Sequence, residues 1–156
     1  MARKVLFLGT ANSCRSQMAE GWLRHYAGDR ADVFSAGTNP ARLNRIAVAV
    51  MRESGVDISA HRSKPVDELA KVEFQFVITV CDAVCQECPG YPGALYQLQW
   101  SFDDPAEATG SEQERLAVFR RVRDEIAEQV RMFVRREGFN PWLNSSGSAD
   151  VLRAET

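Results

Sequence analysis

Residues 5–20, Val-Leu-Phe-Leu-Gly-Thr-Ala-Asn-Ser-Cys-Arg-Ser-Gln-Met-Ala-Glu, leave little freedom to the chain that carries them. The apolar run Val5–Leu8 suits a strand buried on both faces. Met18, Trp22, Leu23 and Tyr26 then recur at helical spacing, which predicts a helix from about Ser16 to Ala27. Between the two lies a short loop closed by Arg15. A helix that starts there aims its unpaired N–H groups and the positive end of its dipole into the loop, so the junction is suited to an anion. Backbone N–H groups of Thr10, Ala11, Asn12, Ser13, Cys14 and Arg15 can converge on a tetrahedral oxyanion, and the Arg15 guanidinium adds a bidentate fork of permanent charge. Asn12 and Ser13 are expected to hold the loop in shape, and Cys14 to point away as a packed, non-catalytic thiol.

The rest of the chain repeats the alternation. Asp32–Ala36 reads as a strand; Ile46, Val50 and Met51 lie on one face of a helix that ends near Ser54 and Gly55, with Gly55 suited to a left-handed cap. Phe74–Val80 has the nearly continuous apolar pattern of a central strand, and Leu95–Leu98 is a weaker strand candidate. Leu116, Phe119, Val122, Ile126, Val130 and Phe133 mark an amphipathic helix from about Ser111 to Arg136. Residues 86–93 and 103–113 are turn-rich connections. The expectation is an α/β fold, one domain over residues 3–139, with a four-stranded parallel sheet flanked by helices and its ligand site beyond the C-terminal strand ends. Residues 140–156 are expected to form a poorly structured or surface-docked tail, with Trp142 and Leu143 as the docking residues.

A net charge of −2 offers no general attraction to nucleic acid or to an anionic membrane, so any anion binding must be local. No apolar run is long enough to span a bilayer, and residues 1–8 do not read as a secretory leader. A cytoplasmic monomer is expected, in a reducing compartment where the four cysteines are reactive or buried rather than structural disulfides.

Cys81, Cys85 and Cys88 follow the Phe74–Val80 strand at the edge where the sheet should bind its ligand. Thiols in a Pro/Gly-rich loop suit thiol–disulfide exchange. The alternatives are a zinc site completed by His61 or Cys14, which lacks a second Cys-x2-Cys knuckle, and three incidental thiols. Asp104, before Pro105 on the next loop, is a candidate general acid, because like charge favours the protonated form of a carboxyl that faces a bound anion.

Taken together, Asn-Ser-Cys-Arg-Ser-Gln-Met-Ala-Glu, Ser-Ala-Gly-Thr, Asp-Ile-Ser, Phe-Asp-Asp-Pro and Arg-Val-Arg-Asp-Glu-Ile resemble the thioredoxin-coupled arsenate reductases that share the low-molecular-weight protein tyrosine phosphatase fold, over roughly residues 3–136. The resemblance implies a Cys-x5-Arg loop whose cysteine attacks arsenate. Here that position is Gly9, with five residues between it and Arg15. It also implies that Cys81 attacks the first cysteine's arseno adduct, that Cys88 receives the disulfide for reduction by external thioredoxin, and that Asp104 protonates the leaving oxygen. Ser16 would donate to a thiolate at position 9, or else merely cap the helix. No tightly bound cofactor is implied. Some of these reductases bind potassium through residues matching Asn12, Glu20 and Ser35 plus an acid. Lys64 stands in that acid's place, so its ammonium is expected to pair with Glu20 and to make potassium dispensable. As written, the chain is expected to bind the oxyanion and turn over poorly. The alternatives are a tyrosine phosphatase, which would have no use for Cys81 and Cys88 and usually carries tyrosine where this chain has Ala106, and a non-catalytic oxyanion or redox sensor, which Gly9 favours.

Overall fold

A computed structural model describes residues 2–81, 91 and 94–139. Cys85, Cys88 and the expected tail lie outside the described residues. Four parallel strands, β1 (Arg3–Gly9), β2 (Ala31–Gly37), β3 (Phe76–Cys81) and β4 (Tyr96–Ser101), form one sheet in the order β2-β1-β3-β4. The α-helices among the described residues are α1 (Arg15–Ala27), α2 (Arg45–Glu53) and α3 (Glu112–Glu137).

Alternation along the inner strands divides the core. Val5, Phe7, Phe76, Ile78, Val80 and Trp100 join one cluster with the buried faces of all three helices. Leu6, Leu8 and Val77 belong to a second cluster with Ala36, Leu69 and Phe74. The chain steps from β1 to β2 on one side and then returns across β1 to β3 on the other. The reversal opens a crevice at the C-terminal end of β1, where Gly9 leads into the loop.

Local chemistry sets the helix ends. Asn44 caps α2, its side-chain oxygen accepting from the N–H groups of Ile46 and Ala47. Ser111 and Glu114 form a reciprocal capping box on α3, which ends on left-handed Gly138. The strands differ from expectation at their ends: β1 and β2 extend beyond Val5–Leu8 and Asp32–Ala36. Phe74 precedes β3 and fills the second cluster instead. β4 runs on to Ser101 because β3 supplies pairing partners through Cys81, whereas Leu95 lies outside it and is exposed.

Candidate oxyanion site

The carbonyls of the loop after β1 all point outward. Those of Gly9, Thr10, Ala11 and Ser13 accept from the backbone N–H groups of Thr38, Asn39, Ala41 and Asn44, at 3.1, 2.8, 2.9 and 3.0 Å. The Asn12 carbonyl accepts from Gln17 Nε2 at 3.1 Å and from the Ser63 hydroxyl, and that of Cys14 from Met18 N at 2.8 Å. Successive peptide units whose oxygens face away turn their N–H groups inward, and those of Thr10 to Cys14 find no acceptor among the described residues. They border a small pocket lined by residues Gly9 to Ser16 together with Val80 and Asp104.

Asn12 fixes the bend. It has a φ of 53°, in the left-handed region, and is buried. Its Nδ2 donates to Ser16 Oγ at 2.8 Å, while its Oδ1 accepts from Gln17 Nε2 at 3.0 Å and from Lys64 N at 3.1 Å. Gly37 closes the back, where an added Cβ would stand 2.3 Å from the Thr10 carbonyl oxygen. Gly9 has room: a Cβ there would stand 3.5 Å from Ser16 Oγ and 3.7 Å from the Val80 carbonyl oxygen, both ordinary contacts. Ser16 is the second residue of α1, not its cap; Cys14 holds the cap position, without a side-chain bond.

Arg15 Nη1 donates to the Phe102 carbonyl at 3.0 Å, and Nη2 lies 3.7 Å from Asp104 Oδ2. Asp104 in turn accepts from Ala106 N at 3.0 Å, which caps the short 3-10 turn Pro105–Glu107. Arginine and carboxylate thus meet at the pocket although 89 positions separate them in sequence. Cys14 is free and buried, and burial pushes its thiol up to about 12, the state of an unreactive packed thiol. Cys81 ends β3, is almost wholly buried, and carries a disulfide.

The expected pairing of Lys64 with Glu20 is absent. Glu20, buried in α1, lies 2.7 Å from Arg24 one turn on and 3.5 Å from His61, and accepts from the Ser35 hydroxyl. Lys64 Nζ donates instead to the Arg62 carbonyl at 3.2 Å, and half-burial holds its ammonium pKa below the ordinary range. The short reach to Arg24 within one helix wins over a pairing between separate segments. His61 Nδ1 meets Gln17 Oε1 at 3.0 Å and its Nε2 meets Arg24 Nη1 at 3.1 Å. An amide oxygen only accepts and a guanidinium only donates, so the ring is neutral with its proton on Nδ1; burial also lowers its pKa. With both nitrogens of His61 engaged and Cys14 buried, neither offers the open ligand that the zinc alternative needs.

Sequence reading missed Gln17 and Arg24, and named His61 only as a zinc ligand, not as their partner. The signal was the stripe Gln17, Glu20, Arg24, whose spacing of three and four puts polar groups on one face of a largely apolar helix.

Residues 4–139 match the family of the low molecular weight phosphotyrosine protein phosphatases. The chain is 46% identical over 134 residues to an arsenate reductase of Halalkalibacterium halodurans, covering 85% of this chain and 96% of that protein. An arsenate reductase solved in a phosphate-binding state is 32% identical with a TM-score of 0.72, covering 85% of this chain and 96% of that one. A thioredoxin-dependent arsenate reductase of Corynebacterium glutamicum is 30% identical with a TM-score of 0.57, covering 85% of this chain and 63% of that one.

Proposed function

We propose, because this chain belongs to the low molecular weight phosphotyrosine protein phosphatase family, that it is an arsenate reductase of the thioredoxin-coupled kind whose oxyanion cradle is complete and whose first nucleophile is missing. The observation that carries the reading is the loop itself, with its carbonyls tied outward and Arg15 braced by Phe102 and Asp104. The names of the arsenate reductases it is similar to, one of them thioredoxin-dependent, support the choice of substrate and external reductant.

With sulfur at position 9, the reaction closes. The thiolate, held by Ser16 and the loop N–H groups, bonds to arsenic while Asp104 gives its proton to the departing oxygen, which leaves as water. Cys81 then attacks the sulfur at position 9. The S–As bond breaks, its electron pair goes to arsenic, and As(V) leaves as arsenite. Cys88 attacks Cys81, frees position 9, and leaves a disulfide for thioredoxin to reduce. With Gly9 the anion binds and no S–As bond forms. Potassium is dispensable, because Arg24 already supplies the cation beside Glu20. Among the described residues no helix is long and apolar enough to cross a membrane, and action in the cytoplasm fits the thioredoxin requirement.

The test is Gly9→Cys in an assay coupling arsenate reduction to thioredoxin and NADPH. Turnover should rise from negligible by a factor on the order of a million, the scale on which removal of a covalent nucleophile acts. Rapid turnover by the unsubstituted chain overturns the reading. Hydrolysis of an aryl phosphate by the substituted chain, without arsenite release, assigns it to the phosphatases. Neither activity makes it an oxyanion sensor, the reading that Gly9 favours.

A further inference from the structure

The register between β3 and β4 sets Thr79 beside Gln99 and Cys81 beside Ser101. Side chains alternate along a strand and neighbours in register share a face, so Cys81, Thr79, Gln99 and Ser101 lie on one side of the sheet. Gln99 is long enough to reach forward by one pair. Its amide Nε2 donates to Cys81 Sγ at 3.5 Å, an ordinary separation for the larger sulfur atom, with Gln99 exposed at the sheet edge and Cys81 buried. Among the described residues, β1, β3 and β4 bring no ionisable side chain besides Cys81 to this end; Arg15 and Asp104 border the adjoining pocket beside Val80.

An amide N–H binds a thiolate more strongly than it binds a thiol or a disulfide sulfur, because the acceptor is then charged. A bond that is stronger to the charged form lowers the pKa of the thiol. We propose that Gln99 is a positioning residue for Cys81, holding an N–H donor against its sulfur so that the thiolate forms readily and departs readily. When a dithiol cleaves the Cys81 disulfide, its thiolate attacks the partner sulfur and a new S–S bond forms there. The old bond breaks and its electron pair stays on Cys81 Sγ, against the Gln99 amide. The consequence for turnover rests on the relay proposed above; the effect on the thiol does not.

The experiment follows alkylation of the reduced full chain by iodoacetamide from pH 5 to pH 10, with Cys81 quantified in its own peptide by mass spectrometry. Gln99→Leu should raise the midpoint by about half a unit to one unit, the size of one modest hydrogen bond. Gln99→Glu should raise it further through like charge, and Gln99→His, which keeps a donor, should restore it. Reduction of the oxidised chain by dithiothreitol should slow several-fold in the Leu variant. An unchanged Cys81 midpoint in the Leu and Glu variants overturns the proposal. The readout needs no arsenate, thioredoxin or sulfur at position 9, so a shifted midpoint alongside an inactive Gly9→Cys chain would remove the relay and leave the role of Gln99 standing.

Discussion

A methyl group added at position 9 and one added at position 37 meet opposite surroundings, though the two glycines are paired across β1 and β2. At Gly9 the nearest atom is 3.5 Å away, so Gly9→Ala should leave the chain as stable or more so, by up to about 1 kcal/mol, because the unfolded chain loses freedom. At Gly37 the methyl meets the Thr10 carbonyl oxygen at 2.3 Å, a backbone atom that cannot swing aside. Gly37→Ala should cost roughly 1–3 kcal/mol and weaken phosphate binding, because relief moves the loop. Urea midpoints for the two variants check this, and equal midpoints would contradict it. The sequence shows the anion loop and Arg15 openly, since their chemistry is local. It hides the need for Gly37, which follows from a strand pairing, and it hides the His61–Gln17–Asn12 chain, whose members come from separate segments.

Between elements, the join of α2 to α3 is ionic at its rim. Glu53 at the end of α2 accepts from Arg120 at 2.8 and 3.0 Å and from Arg123 at 2.9 Å. Arg120, and then Arg123, hold its carboxyl down from an ordinary 4.5 to about 2. A carboxyl depressed on folding adds stability that is fully present above its unfolded pKa and is lost as pH falls through the folded one. The window is therefore from about 4.5 down to about 2. Melting temperatures across that range should fall less steeply for Glu53→Gln than for the unsubstituted chain; parallel curves would show that the exposed pair contributes nothing. The ends of α1 and α3 and the end of α2 are legible to within a residue or two because apolar spacing runs along each helix; side-chain caps mark only the starts of α2 and α3. β4 was legible only in part: its burial alternates weakly, and its length is set by β3.

At the scale of the molecule, the strand order places the cradle where the chain reverses across β1, and the alternation of strand and helix is enough to foresee that edge. What the alternation does not reveal is how Arg15 and Asp104 come to share a pocket. Arg15→Ala should weaken phosphate binding, read by calorimetry, by roughly ten- to a hundredfold, the range for a hydrogen bond to a charged group; equal affinity would put the anion elsewhere. The strap from Thr38 to Asn44, bonded to the loop's carbonyls, sets the shape of the cradle before any ligand arrives. In deuterated solvent the two rows of amides should therefore behave differently. The protons of Thr38, Asn39, Ala41 and Asn44 should exchange slowly whether or not phosphate is bound, whereas those of Thr10 to Cys14, facing an open pocket, should exchange quickly until phosphate fills it.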